Sequence, residues 1–219
     1  MKQSDVSQVF EIAAGFSPRG LEMTSDPNVT YVEVDLAENA RLKRKIVNAI
    51  ITKSTIGSRR NIYFEEGDVL DLTSLQSAIK YLDKTKPITI ITEGLLRYLT
   101  FAEKTMAAKN IKVLLEQFSG TWIVSDTDLK PNSEREVIIL PESFRSRKTK
   151  TGINPDLNLF ISNAERQRFF ERIGFTVEDH NLMEIADELV SPKRLNKTNK
   201  EIKDLFNGKH VYIMSNCVT

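Results

Sequence analysis

The regular alternation of short strand-like runs with helical segments constrains the fold of this chain most strongly. Strand-like runs occupy residues 6–13, 30–35, 61–64, 88–92, 121–125, 175–178 and 210–214. Helical patterning covers residues 18–24, 38–53, 73–83, 100–118 and 162–173, and residues 183–207 are expected to be helical in two pieces. Alternation of this kind produces a mainly parallel sheet with helices on both faces. The sequence therefore predicts an α/β, doubly wound fold in which residues 1–219 form a single domain.

Local signals predict where helices begin and which faces they bury. A Ser or Thr followed three residues later by Glu or Gln predicts capping boxes at Thr73, Thr100 and Ser162. Within residues 38–53 we expect one buried apolar stripe with a solvated basic face around it. The stripe consists of Leu42, Ile46, Ala49 and Ile50, and the basic residues are Arg41, Lys43, Arg44 and Lys45.

Small residues follow the first strand and would let a bound molecule approach the main chain. Ala13, Ala14 and Gly15 end the strand, and Pro18 suits the first turn of a helix. A dinucleotide-binding loop carries glycines in the pattern G-x-G-x-x-G, but this chain has Ala13, Gly15 and Pro18 there. S-adenosylmethionine carries no phosphate, and an acidic loop rich in Ala and Gly fits it better. The loop by itself is equally consistent with a plain tight turn.

Four features of the sequence fall at the carboxyl ends of successive predicted strands. Gly15 follows the first strand, Asp35 ends the second, Asp68 follows the third and Glu93 ends the fourth. Ligands of doubly wound sheets bind beyond the carboxyl ends of the strands, where the strand order reverses. The sequence therefore predicts a ligand site at this edge of the sheet.

Charge and cysteine content limit the expected partners and compartment. The formal net charge of +1 gives no general case for a nucleic acid or an acidic membrane as a partner. The single Cys217 excludes an intrachain disulfide and suits a reducing compartment. No apolar run is long enough to span a bilayer, and the first residues do not resemble a signal peptide. We expect a cytoplasmic protein with a small-molecule or peptide partner, and a homodimer remains open.

The sequence resembles the class I S-adenosylmethionine-dependent methyltransferases. More narrowly, it is similar to the leucine carboxyl methyltransferase family and its bacterial relatives of the polyketide O-methyltransferase type. The resemblance is carried by residues 10–21, 29–36, 92–99 and 120–123, of which Glu93-Gly94-Leu95-Leu96-Arg97-Tyr98-Leu99 is the most specific piece. It implies a seven-stranded, Rossmann-like methyltransferase fold whose antiparallel last strand lies beside the fifth. It also implies S-adenosylmethionine as cofactor, S-adenosylhomocysteine as product and no metal.

The resemblance further implies which residues hold the cofactor. Those against the methionine part and the sulfonium are Glu11, Ala13, Gly15, Glu93, Gly94 and Leu95. Those around the nucleoside are Asp35 at the ribose hydroxyls and Asp68 with Val69 at the adenine. Arg19 matches an arginine of the family's first loop, and Phe16 and Leu36 are further implied contacts. The acids also have structural alternatives, with Asp35 as a helix cap, Asp68 as a turn residue and Glu93 as a buried ion-pair partner.

The chain departs from its family in the first loop and at its beginning. Ser17-Pro18 replaces the Asp-Thr of many relatives, and Ala37 stands where many have Pro. Members usually carry a helical segment before the first strand that helps to bind cofactor and substrate. We therefore expect either a truncated form or another segment that covers the site.

Residues 127–161 and 183–207 are the candidates for a substrate lid, because both connections should emerge at the ligand edge. Basic residues of the first could attract an anionic acceptor, or could form an ordinary solvated loop. They are Arg145, Arg147, Lys148 and Lys150. Tyr98 is a candidate substrate contact whose aromatic face would tolerate the sulfonium.

The nature of the acceptor decides whether a general base is needed. A carboxylic acid is already ionised at neutral pH, whereas a phenol with a pKa of about 10 costs roughly 4 kcal/mol to ionise at pH 7. His180 and His210 are the only histidines, and each is predicted at a strand end on the ligand side. The lack of a clear base favours a carboxylate acceptor. We thus expect an O-methyltransferase acting on a carboxylate or hydroxyl of a small molecule or peptide. The alternatives are an inactive cofactor-binding module, a nicotinamide-dependent dehydrogenase and a scaffolding domain.

Overall fold

A seven-stranded mixed sheet forms the centre of the protein. The computed structural model describes residues 6–53, 57–125, 129, 158–188, 194–206 and 209–216. The strands are β1 (Gln8–Ile12), β2 (Thr30–Asp35), β3 (Ile62–Glu66), β4 (Ile88–Thr92), β5 (Gly120–Val124), β6 (Phe175–Asn181) and β7 (His210–Asn216). Their order is β3-β2-β1-β4-β5-β7-β6, and β7 is antiparallel to both of its neighbours. The predicted fold class, with its antiparallel last strand beside the fifth, is therefore confirmed.

Helices cover both faces of this sheet. They are α1 (Arg19–Met23), α2 (Ala37–Lys53), α3 (Leu72–Ala78), α4 (Phe101–Phe118), α5 (Asn163–Ile173) and α6 (Asn199–Phe206). Short 3₁₀ turns occupy Ile79–Tyr81, Leu96–Tyr98 and Leu182–Glu188. Within the described ranges, no helix has both the length and the apolar composition that crossing a membrane requires.

The larger core lies between the sheet and the helices α3, α4 and α5. Trp122 of β5 is fully buried there and packs edge-on against Phe170 of α5, with ring centroids 5.6 Å apart. Its indole Nε1 donates a hydrogen bond of 2.9 Å to Thr92 Oγ1, which is also buried. This bond satisfies a polar group that burial would otherwise penalise. It also fixes β5 against the last residue of β4.

The smaller core lies on the opposite face, under α1 and α2, and here one prediction is wrong. The helix α2 turns Ala40, Lys43 and Val47 toward the sheet. Leu42, Ile46 and Ile50 of the predicted stripe are exposed by more than 40% each. The expectation that Lys43 lies on a solvated face is wrong as well, because its ammonium lies 2.5 Å from the carboxylate of Glu33 in β2. Glu33, which lies outside the helix, therefore decided which face of α2 is buried.

Capping geometry agrees with the sequence at two of the three predicted helix starts. Thr100 forms a complete capping box with Glu103, and the Ser162 hydroxyl accepts from the backbone N–H of Glu165. The box predicted at Thr73 is wrong, because α3 begins at Leu72 and its N-cap is Asp71, two residues before Thr73. The carboxylate of Asp71 accepts from the backbone N–H of Thr73 at 3.0 Å. An aspartate is at least as good an N-cap as a threonine, so Asp71 takes the N-cap position instead of Thr73.

Gly120 fixes the spacing between β4 and β5. Its φ is +118°, and a Cβ at this position would lie 2.0 Å from the carbonyl oxygen of Ile88. Only glycine avoids that collision. The close approach lets β5 begin its ladder with β4 immediately after α4 ends.

Candidate functional site

The strand order reverses between β1 and β4, and the predicted ligand residues gather at that point. Ile12 of β1 pairs with Val34 of β2 and with Thr92 of β4 in parallel register. These three residues are therefore level, and the loops after the strands leave the sheet along one edge. The prediction that the loops after β1 to β4 share an edge is confirmed by this topology.

The loop after β1 has an open surface. Ala13 and Gly15 have φ values of +58° and +50°, in the left-handed region that side chains rarely adopt. No atom lies within 4 Å of where a Cβ of Gly15 would be. Phe16 next to it is 56% exposed. The main chain of this loop is therefore accessible to a ligand, as expected from its small residues.

Asp35 at the end of β2 is fixed by three hydrogen bonds. Its Oδ2 accepts from the backbone N–H of Gly15 at 2.7 Å, which ties β2 to the loop after β1. Its Oδ1 accepts from the backbone N–H of Leu36 at 2.8 Å and from Asn39 Nδ2 at 2.9 Å. The carboxylate thus stabilises the start of α2, as expected of a helix cap. It is also half-buried, and its Oδ2, which has a single partner, retains acceptor capacity for ligand hydroxyls.

Arg19 joins the ends of β1 and β4. Its guanidinium pairs with the carboxylates of Glu11 and Glu93. Glu11 is 2% exposed and also accepts a hydrogen bond of 2.6 Å from the hydroxyl of Tyr31. Burial raises the pKa of Glu11, and the charge of Arg19 opposes that shift. Glu93 is an ion-pair partner, but its side chain is 57% exposed rather than buried.

A second ion pair lies directly beneath the loop, and sequence reasoning missed it. Glu33 and Lys43 are almost fully buried, and Lys43 Nζ also lies 3.4 Å from the carbonyl oxygen of Ala14. Burial raises the pKa of Glu33 to about 7, although Lys43 pulls it down. Gly20 of α1 packs against this carboxylate, because a Cβ there would lie 2.3 Å from Glu33 Oε1. The sequence signal for this pair was an acidic residue inside a strand that is otherwise apolar.

The residues predicted to frame an adenine form the loop after β3. Asp68 Oδ1 accepts from the backbone N–H of Leu70 at 2.9 Å, so Asp68 is a turn residue. Val69 is 5% exposed, and its carbonyl oxygen accepts from Asn110 Nδ2 at 2.8 Å. The loop lies at the same edge as Asp35, because β3 is the parallel neighbour of β2. Contact with an adenine stays a prediction.

The loop after β4 combines an open glycine with a half-buried aromatic residue. Gly94 has a φ of +71° and no atom within 4 Å of a Cβ position, whereas Leu95 is half-buried. Tyr98 is half-buried at the end of the 3₁₀ turn, and its backbone N–H donates to the carbonyl oxygen of Leu95 at 3.0 Å. This loop therefore faces the loop after β1 across the strand reversal, and its main chain is accessible.

The two histidines occupy different environments near the same edge. His210 begins β7, and its Nδ1 lies 2.6 Å from Asp179 Oδ1 of β6. His180 near the end of β6 lies on the face of that strand opposite to Asp179, 3.5 Å from Glu178, and both side chains are at least half exposed.

The lid candidates are only partly described. Arg145, Arg147, Lys148, Lys150 and most of 127–161 lie outside the described residues, whereas part of 183–207 forms the third 3₁₀ turn and α6.

Among the described residues, no group of three or more His, Cys, Asp or Glu side chains is arranged to hold a metal ion. The edge of the sheet instead offers two open glycines and fixed carboxylates. These groups fit the nucleoside and the sulfonium of S-adenosylmethionine, which need hydroxyl acceptors, close main-chain approach and tolerance of a positive charge.

Solved methyltransferase structures share this fold at low sequence identity. PigF with S-adenosylhomocysteine is 13% identical at a TM-score of 0.59, and the alignment covers 99% of this chain and 52% of that one. Human N-acetylserotonin methyltransferase in complex with S-adenosylmethionine is 12% identical at a TM-score of 0.54, with 100% and 50% covered. The methyltransferase domain of bacterial CtHen1 is 14% identical at a TM-score of 0.60, with 99% and 93% covered.

The chain spans about half the length of the first two of these structures. Comparison with curated proteins gave no match. The sequence profile of the leucine carboxyl methyltransferase family matches residues 1–112, from the first strand into α4. That match covers half of the chain and includes all four loops of the candidate site. The chain therefore belongs to the leucine carboxyl methyltransferase family and has the fold of the class I S-adenosylmethionine-dependent methyltransferases.

Proposed function

We propose that the protein is an S-adenosylmethionine-dependent O-methyltransferase that acts on a carboxylate or hydroxyl of a small molecule or peptide. The observation that carries the proposal is the arrangement at the strand reversal. The open turns at Gly15 and Gly94 flank it, and the Asp35 carboxylate is fixed beside them. The product of the cofactor would be S-adenosylhomocysteine.

Each loop at the edge has a distinct role in this proposal. Asp35 accepts hydrogen bonds from the ribose hydroxyls, because its own partners already fix its orientation. The main chain at Ala13 and Gly15 lies against the methionine part. Glu93 supplies negative charge near the sulfonium. The loop at Asp68 borders the adenine.

The cofactor supplies an electrophilic methyl group, and transfer of that group is an in-line displacement. The protein therefore contributes mainly by positioning, which can supply a large part of the acceleration. The bridge from Arg19 to Glu11 and Glu93 serves this purpose, since it holds the ends of β1 and β4 in a fixed relation. A rigid edge keeps the loops on both sides of the methyl group in register.

Calorimetry with S-adenosylmethionine and S-adenosylhomocysteine tests the binding step. Asp35→Asn should weaken both ligands by about 100-fold, because hydrogen bonds to a charged acceptor contribute roughly 1.5–3 kcal/mol each. The matched control is Asp83→Asn, which removes the same charge at an exposed position before β4, at the opposite edge of the sheet. Equal affinities of the two variants would contradict the assigned role of Asp35.

The competing functions give different results in the same experiments. A dehydrogenase would bind NADH, which the replacement of two motif glycines by Ala13 and Pro18 disfavours. An inactive module would bind S-adenosylmethionine but methylate none of a panel of carboxylic acids, phenols and peptides. Methyl transfer, measured by mass spectrometry of the acceptors, decides between module and enzyme.

A further inference from the structure

A histidine and an aspartate form a hydrogen-bonded pair where β6 and β7 meet the ligand edge. His210 Nδ1 lies 2.6 Å from Asp179 Oδ1, and the second oxygen of Asp179 accepts from the hydroxyl of Tyr212 at 3.2 Å. The side chain of His210 is 21% exposed and that of Asp179 is 39% exposed. Tyr212 is 2% exposed, so it anchors the carboxylate from inside the core.

The register of the sheet places this pair beside the candidate site. Thr92 of β4 pairs with Val124 of β5, and Val124 pairs with Tyr212 of β7. Tyr212 is therefore level with the last residue of β4. His210 lies two positions further toward the ligand edge, because β7 runs antiparallel. Neighbouring strands are about 4.8 Å apart, so β7 lies about 10 Å from β4. Because β5 lies between these two strands, an acceptor that reaches both the loop after β4 and His210 would lie beyond the carboxyl end of β5.

Hydrogen bonding determines which nitrogen of His210 is free. An ionised carboxylate can only accept, so Nδ1 carries the proton and donates it to Asp179. The neutral ring then has an unprotonated Nε2, and no partner for that nitrogen is found within the described residues. A histidine held in one tautomer by a carboxylate is the usual form of a general base.

We propose that His210 is the general base for a hydroxyl acceptor and that Asp179 is its positioning residue. This inference rests on the proposed function and narrows its substrate class to hydroxyl compounds such as phenols. It reverses the preference for a carboxylate, which depended on the lack of a clear base. A carboxylate acceptor would need no such pair, since it is already ionised.

The proposed step is balanced without a further reactant. The acceptor oxygen forms its bond to the methyl carbon while the carbon–sulfur bond breaks, and Nε2 of His210 takes the hydroxyl proton. The sulfonium charge disappears as the imidazolium charge forms. Asp179 stabilises that imidazolium, and the proton then passes to water.

His180 does not share this geometry. Its Nε2 lies 3.5 Å from Glu178 Oε2, beyond a good hydrogen bond, and both side chains are exposed on the opposite face of β6. The pair Glu178 and His180 therefore provides a matched control for Asp179 and His210. Glu178 precedes Asp179 in β6, and His180 of β6 lies next to His210 of the neighbouring β7, so the two controls remove a carboxylate and an imidazole close to the proposed pair.

The groups around His210 define what a pH profile would report. Asp179 faces it from β6, and Tyr212 stacks near it within β7, with ring centroids 6.2 Å apart. Arg166 of α5 lies over the Tyr212 ring at 4.1 Å. Lys209 precedes His210 in the chain and is exposed. Asp179 is therefore the group whose removal should change the profile most.

Rates with a panel of simple phenols test the proposal. His210→Gln should lower the rate with phenol by 10²-fold or more, within the range of general base catalysis. Asp179→Asn should lower it by about 10²-fold and change the acidic limb of the pH profile, where a protonated His210 cannot take the hydroxyl proton. A nitrophenol, already ionised at mildly alkaline pH, should restore much of the rate in both variants. His180→Gln and Glu178→Gln should keep the rate of the unaltered protein.

A second measurement does not depend on activity. Nitrogen NMR of the protein without cofactor should show His210 with its proton on Nδ1, and Asp179→Asn should shift the proton toward Nε2. Failure of every phenol to be methylated, or an Nε2-protonated His210, overturns the inference. Calorimetry separates the two failures, because loss of S-adenosylmethionine binding defeats the proposed function. Binding without hydroxyl methylation defeats only the base.

Discussion

Replacing Gly20 by alanine tests whether the buried Glu33–Lys43 pair supports the ligand loop. The added Cβ would lie 2.3 Å from Glu33 Oε1 and 3.0 Å from a ring carbon of Tyr31. The carboxylate must therefore move by roughly 1 Å, but it lies 2.5 Å from Lys43. Overpacking of a core costs about 1–3 kcal/mol, and loss of a buried partner costs about 3–5 kcal/mol. We expect Gly20→Ala to lower the free energy of unfolding by about 3 kcal/mol.

Urea denaturation measures this loss, and the dependence of the free energy of unfolding on urea concentration should stay unchanged. For a chain of this length, 3 kcal/mol corresponds to a fall in Tm of about 6–12 °C. Gly94→Ala is a matched control, since it adds the same methyl group in open space and introduces only backbone strain of about 1–2 kcal/mol.

A double-mutant cycle makes the test specific to the carboxylate. In the background of Glu33→Ala, the extra cost of Gly20→Ala should fall below about 1 kcal/mol, because contacting residues are not additive. A loss below about 1 kcal/mol in the unaltered background would refute the proposed collision. An equal loss in both backgrounds would do the same.

Three further perturbations follow from buried groups outside the ligand surface. The pKa of Glu33 is raised to about 7 by burial, so its contribution to stability is complete below about pH 4.5 and is lost as the pH rises through 7. Glu33→Gln should remove about 3 kcal/mol of that pH dependence, measured as the difference between denaturation curves of the two proteins across this window. Trp122→Phe should cost about 1–3 kcal/mol, because it leaves the buried Thr92 hydroxyl without its donor; an unchanged Tm would contradict this. Gly120→Ala should prevent folding or shift Tm by more than 10 °C, since its Cβ meets the main chain of β4; circular dichroism would detect either result, and a native melt would show that the strands can separate there.

The fold could be predicted because its signals are local. A β-branched run such as 88–92 and a capping pair such as Thr100 with Glu103 depend only on neighbours in sequence. Alternation of such elements leaves few topologies open, and the edge at which Asp35 and Glu93 gather follows from a parallel sheet. Even the local signals did not fix every helix start, because the N-cap of α3 is Asp71 and not Thr73.

The buried polar contacts could not be predicted, because each depends on a distant partner. The pattern of α2 predicts that Lys43 is a solvated basic residue, and only the nearby Glu33 of β2 makes its burial favourable. His210 and Asp179 are 31 residues apart, and the register of β6 on β7 alone brings them within 2.6 Å.

Residue order by itself therefore determined the elements, their alternation and the family, since these depend on short-range periodicity and short motifs. Tertiary structure decided which face of α2 is buried, how Arg19 joins two carboxylates and which histidine has a carboxylate behind it. The physical reason is that desolvated charges are stable only when an opposite charge or a hydrogen-bond partner is near. In a folded chain that partner is supplied by strand register and helix packing.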